Sequence, residues 1–232
     1  MKINGCDFYT AVKHLRSGNR PVIELPQPIR TECPLQIHSV TELKSYPLLQ
    51  YLAERMVHPD IARQFCKEVS YTINGKQYYA VGFPNDKGGY ELRNKYFKVS
   101  SSPKGISTIR RNCKEIMIFE GFIDMLSFLY EIDHEPPKDI LVLNSTINLK
   151  KAIPVLKDYE HIHTYLDHDT VGRKATENIQ IEFGDKVIDR SDFYSDLNDL
   201  NDYIIHKART VPGNHPSMLD GITKPLSCKP KL

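Results

Sequence analysis

With 232 residues, 40% of them hydrophobic, the chain is long enough to bury a real core as one large domain or two small ones. No stretch approaches the ~20 apolar residues of a membrane span and Met1 to Gly5 lacks the apolar run of a signal peptide, so no membrane partner and a cytoplasmic location are expected. The net charge of +2 divides unevenly: residues 1–114 carry 18 Lys and Arg against 9 Asp and Glu, whereas residues 115–206 carry 8 against 19, a split that suits a polyanion on one half and a metal on the other.

The first 114 residues read as small, mixed elements. Residues 7–16 suggest a helix capped by Asp7 and closed by Gly18, and 20–39, with four prolines, an extended connector. Ser45-Tyr46-Pro47 starts a helix through about Met56, and His58-Pro59 another through about Lys67. Strand signals follow over 69–73, 77–83 and 90–99; Asn74-Gly75 between alternating runs is a strong hairpin signal, and a three-stranded antiparallel meander is expected. Along its last strand Arg93, Lys95 and Lys98 interleave with Tyr90, Tyr96 and Phe97, and Lys104 follows. Cations can contact phosphates and rings can stack bases, so single-stranded nucleic acid suits this face; a solvated polar strand is the plainer reading.

After a polar linker over 100–111 the pattern changes. Strands are expected over 115–119, 139–143, 161–166 and 186–188, with helices at about 122–132, 149–158 and 170–183, an order that predicts an α/β fold with a parallel sheet of about four strands and helices on both faces. A last helix is expected over about 200–207, and the tail from 210, with four prolines, is expected to be irregular. The cysteines (Cys6, Cys33, Cys66, Cys113, Cys228) are scattered, odd in number and never spaced C-x-x-C, which points to neither a disulfide framework nor a zinc knuckle.

Two of these strands end alike, in carboxylates and then a glycine: Glu120-Gly121 after the first and Asp167-His168-Asp169, with Gly172 beyond, after the third. In an open α/β sheet the ligand crevice lies beyond the carboxyl ends of the strands, so Glu120, Asp167 and Asp169 converge if the strands are neighbours. Close carboxylates repel unless a divalent cation sits among them, and oxygen-only ligands favour Mg²⁺ or Mn²⁺. A third acidic run, Ser195-Asp196-Leu197-Asn198-Asp199-Leu200-Asn201-Asp202, repeats an Asp-x-Asn pattern. Its second copy is favoured over Asp196/Asp199, because an apolar helical run follows it.

This set of three resembles the Toprim domain of primases and topoisomerases. The resemblance implies that Glu120, Asp167 and Asp169 are catalytic and bind the metal, with Asp199 and Asp202 joining them and Gly121, Asp124, Gly172 and Asn201 in support. Phe119-Glu120-Gly121-Phe122-Ile123-Asp124 is similar to the primase version, the third run to the Asp-x-Asn-Asp/Glu element of phage-type primases, and residues 79–104 to the strand meander that precedes Toprim in bacterial primases. Coverage is roughly 45–206, and the match extends to primase-like Toprim proteins of Bacteroidetes mobile elements. The implied division is 1–40 as helix and connector, 41–112 as an α+β subdomain, 113–208 as the Toprim domain and 209–232 as tail. The implied activity is Mg²⁺-dependent primer synthesis from nucleoside triphosphates on a single-stranded DNA template. Arg93, Lys95, Lys98 and Lys104 would position template or triphosphate, Arg173 and Lys174 would contact phosphate, and a replicative or mobile-element helicase is the implied partner. A Toprim nuclease and a non-catalytic replication accessory module are the alternatives. Such primases begin with a zinc ribbon; no such set of cysteines and histidine occurs here, and residues 4–18 resemble the segment that follows one.

Overall fold

The computed structural model describes residues 35–131 and 137–210. The helix expected over 7–16, most of the connector and the tail beyond 210 lie outside the described residues. The first sheet is antiparallel and holds five strands in sequential order, β1 (Gln36–Thr41), β2 (Lys67–Ile73), β3 (Lys76–Pro84), β4 (Tyr90–Arg93) and β5 (Lys98–Ser100). The Asn74-Gly75 turn forms as expected: both residues have positive φ, 52° and 74°, and Ile73 pairs with Lys76 across a two-residue loop.

Two corrections enlarge the meander from three strands to five. Residues 36–41, read as the end of a connector, pair with β2 as an edge strand whose six residues are all exposed, so backbone pairing and not burial forms it. The strand expected over 90–99 is broken in the middle. Asn94 Oδ1 accepts the N–H groups of Tyr96 and Phe97, both at 2.9 Å, and Asn94 Nδ2 donates to the Tyr79 carbonyl, so a side-chain-stabilised turn separates β4 from β5. Before β2, Pro47 and Pro59 sit in the first turns of α1 (Tyr46–Glu54) and α2 (Pro59–Phe65), where the missing N–H costs nothing.

The second sheet has the order β10-β9-β7-β8-β6, with β7 (Glu115–Phe119), β8 (Asp139–Val142), β9 (His161–Tyr165) and β10 (Val187–Asp189) parallel. The segment expected to be a polar linker contains β6 (Ser107–Ile109), which pairs antiparallel with β8, so this sheet begins before residue 113. Helices α3 (Phe122–Glu131), α4 (Leu149–Leu156), α5 (Thr170–Phe183) and α6 (Leu200–Thr210) follow the strands. Buried apolar strands with helices on both sides give two cores: Ile116, Ile118, Leu141, Leu156 and Ile179 on one side, Met117, Phe119, Ile140, Leu126 and Ile204 on the other.

The second of these cores does not stop at the second sheet. Leu48, Leu52, Val81 and Phe83 of the first half belong to the same buried cluster, and the Phe83 and Phe122 rings stack at 5.2 Å. The two sheets therefore share one core.

Candidate active site

β7 and β9 are hydrogen-bonded neighbours in register, with Phe119 opposite Tyr165, so the residues that leave their tips emerge side by side. That places Glu120 beside Asp167. The chain then turns tightly into α5, where Asp169 is the N-cap and its Oδ1 accepts from Val171 and Gly172 N–H, each at 2.8 Å. Gly172 is required by this turn: a Cβ there would lie 2.0 Å from the Asp167 carbonyl oxygen.

The third acidic run closes over the same edge. His168 N–H donates to the Asn198 carbonyl at 2.7 Å, and the Tyr194 hydroxyl donates to the Leu166 carbonyl at 2.8 Å. Asp199 Oδ1 accepts from Asp202 N–H at the start of α6, while Asn201 N–H donates to Asp124 Oδ1. Asp196 is exposed, and Asp199, common to both copies of the repeated pattern, is the residue of this run whose charge acts on Asp167. Asp202 sits at the rim, 3.7 Å from Arg55 Nη1.

Electrostatics bind these groups into one site. Burial first, then the charges of Asp124, Glu120, Asp199 and Asp169, push the Asp167 carboxyl up to about 8. Burial and Asp199 raise Asp124, burial and Asp169 raise Glu120, and burial raises Asp199. Four carboxyls, those of Glu120, Asp124, Asp167 and Asp199, are thus raised at a single sheet edge, with the charge of Asp169 acting on Asp167 and Glu120, an arrangement that costs stability unless a cation or protons offset it.

The donor set fits a hard divalent cation. Glu120 Oε2 is buried with no hydrogen-bond partner, which is a lone pair held for something that is not protein. Among the described residues no three His, Cys, Asp or Glu side chains close on a common point as they stand. In a chelator, the native state retains protons that the unfolded chain releases above the ordinary carboxylate range near pH 4, so stability should fall as pH rises from there to about 8. Melting temperatures in EDTA across that range test this, and added Mn²⁺ should flatten the slope.

The first sheet supplies cations to this edge. Arg93 on β4 lowers the pKa of both Asp124 and Asp199 by its charge, and its Nη2 would stand 3.9 Å from a Cβ at Gly121. Lys98 on β5 acts on Glu120 in the same way. Arg93 and Lys98 line a cavity of about 340 Å³ with Arg55, Tyr96 and Phe97, and the Tyr96 ring at the turn tip is 81% exposed. The other expected cations stand elsewhere. Lys95 lines this cavity too, yet its ammonium is tied to Glu54 at 3.0 Å; Lys104 is exposed near Glu91; Arg173 and Lys174 are exposed on the first turns of α5. Tyr90 packs into the core of the meander and so does not join the exposed rings.

Arg55 escaped the sequence reading. Its carbonyl accepts from Asn201 Nδ2 at 2.7 Å across 146 positions, and its guanidinium lowers the pKa of Asp199. Neither contact leaves a local signal, because an arginine at a helix C-terminus is ordinary.

A family model described as Toprim-like matches residues 117–204, and one for a domain of unknown function, DUF8464, matches residues 37–102. No curated protein matches the chain in sequence. The fold is similar to that of the primase fragment of the bacteriophage T7 primase-helicase protein, with 18% identity, 79% of each chain covered and a TM-score of 0.54. A chain in the structure of the bacteriophage T7 lagging-strand DNA polymerase with primase domains bound to an RNA/DNA hybrid and dTTP is similar at 19% identity, covering 65% of this chain and 79% of that one, TM-score 0.45. For the zinc-binding and RNA polymerase domains of the Aquifex aeolicus primase the figures are 16%, 68%, 55% and 0.41. Residues 117–204 thus form a Toprim-like domain, preceded by an antiparallel sheet in an arrangement shared with the T7 primase fragment.

Proposed function

We propose that the chain is a primase-like nucleotidyltransferase that joins nucleoside triphosphates into a primer on single-stranded DNA. One observation carries the reading: acids from three separate segments of the Toprim-like domain meet at one sheet edge, and Arg93 and Lys98 of the other sheet reach the same edge. Glu120, Asp167, Asp169 and Asp199 would hold Mg²⁺ or Mn²⁺, which when bound offsets charge on a triphosphate and lowers the pKa of an attacking hydroxyl. Glu120, raised by burial and with one oxygen unpartnered, is suited to accept the proton of that hydroxyl. Arg93 and Lys98 hold phosphates, and the exposed rings of Tyr96 and Phe97 offer a surface for unpaired bases. Arg173 and Lys174, at the positive end of α5, add a phosphate contact at the rim. A helicase is the partner class that the T7 primase-helicase suggests.

The test is an assay with single-stranded DNA, nucleoside triphosphates and Mg²⁺ or Mn²⁺. Extended primers support the reading, loss of template would make the site a nuclease, and binding without either would make the chain an accessory module. Arg93→Glu and Lys98→Glu should each weaken single-stranded DNA binding by about tenfold and reduce its logarithmic salt slope by about 1. Unchanged binding across several salt concentrations would remove these residues from the interface.

A further inference from the structure

A second cavity, of about 310 Å³, opens on the same face of the second sheet between β9, α3 and α6, and none of the acids described above lines it. We propose that it is a binding site for a nucleoside phosphate, separate from the acidic edge and independent of divalent cations. Its anion-binding element is Arg190, which follows β10 and is held by a fixed chain of hydrogen bonds. Arg190 Nε donates to His163 Nδ1 at 3.3 Å, so the Nε2–H of that imidazole donates to Glu115 at 3.0 Å. His163 is 5% exposed, and burial lowers its pKa further, so the ring is neutral and works as a strut. Glu115 is committed to the strut, and among the described residues no carboxylate pairs with Arg190, whose Nη groups are left for a ligand. A guanidinium fork fixed in this way matches a phosphate or carboxylate in two-point contact. Lys138 and Lys207 also line the cavity.

Rings supply the rest of the lining. His163 and Tyr165, two apart on β9, share one face of the sheet, where the Tyr165 ring meets Phe128 at 4.6 Å in a tilted contact; Tyr203 forms part of the wall, and Phe193 lies at the mouth, 61% exposed. An exposed phenylalanine beside an unpaired arginine costs solvation with no structural return, which a planar base seated between the rings would recover. The volume suits one nucleotide and is too small for a folded partner.

Equilibrium dialysis of AMP against the full chain in EDTA tests the assignment, because the acidic edge repels a nucleotide when no cation is present. Binding is expected with a Kd on the order of 10–100 μM, from the affinity per atom of ligands this size. Arg190→Gln should weaken it about tenfold or more, and Phe193→Ala, at an exposed position that tolerates truncation, should weaken it severalfold. Asp167→Asn should leave it unchanged. Four results would overturn the proposal: no binding at millimolar AMP, binding lost in Asp167→Asn but kept in Arg190→Gln, inorganic phosphate competing as well as AMP, or an acidic peptide binding in place of AMP.

Discussion

Asp167→Asn is expected to abolish both Mn²⁺ binding and primer synthesis while raising the melting temperature. The carboxyl sits at the centre of the acidic edge, acted on by four neighbouring acids, and is pushed up to about 8. Loss of a residue that merely orients a metal ligand costs about 10–100-fold, so loss of a ligand in so crowded a set should cost at least a hundredfold in activity. The neutral amide keeps the shape and removes the repulsion, which is why the fold should gain. Calorimetric Mn²⁺ titration and thermal melts at pH 8 check the two halves separately. Undiminished metal binding would move the ion away from Asp167, and a lowered melting temperature would make the residue structural.

Gly172→Ala should move stability in the opposite direction, losing stability and metal binding together. Its Cβ would fall 2.0 Å from the Asp167 carbonyl oxygen and 2.8 Å from the carbonyl carbon, and these are backbone atoms of the turn that presents the acids. No side chain can swing aside to relieve the contact, so either the turn or the first turn of α5 must move. Overpacking of this kind costs about 3 kcal/mol, or roughly 10 °C in a chain of this size. The movement would also pull Asp167 away from Glu120. A variant that melts like the wild type and binds Mn²⁺ as tightly would show that the turn has slack.

The strand tips and their acids were legible because strong local signals coincide there: an apolar β-branched run, an abrupt carboxylate, a glycine. Helix α5 begins and ends at the residues expected, since Asp169 caps it and Gly184 at φ 57° closes it. What the chain order hid was long-range. β1 is exposed on both faces, with no alternation of buried apolar residues to mark it, and is formed by its pairing with β2, and β6 is three residues whose partner lies more than thirty positions on. The split of the strand at 90–99 turned on one side chain, Asn94, whose capacity to bond its own following backbone competes with the ladder. Lys95 looked like its neighbours in the basic run, but the turn at Asn94 swings it toward Glu54, and nothing in the spacing of residues 93–98 distinguishes it.

The core shared between the two sheets has a consequence for synthesis on the ribosome. Residues 35–102 emerge before the second sheet, and they carry Leu48, Leu52, Val81 and Phe83, whose burial is completed by Phe122, Leu126 and Ile204. Until about a hundred more residues have left the exit tunnel, that apolar surface has no native cover, so the nascent N-terminal half presents a natural landing site for a general chaperone.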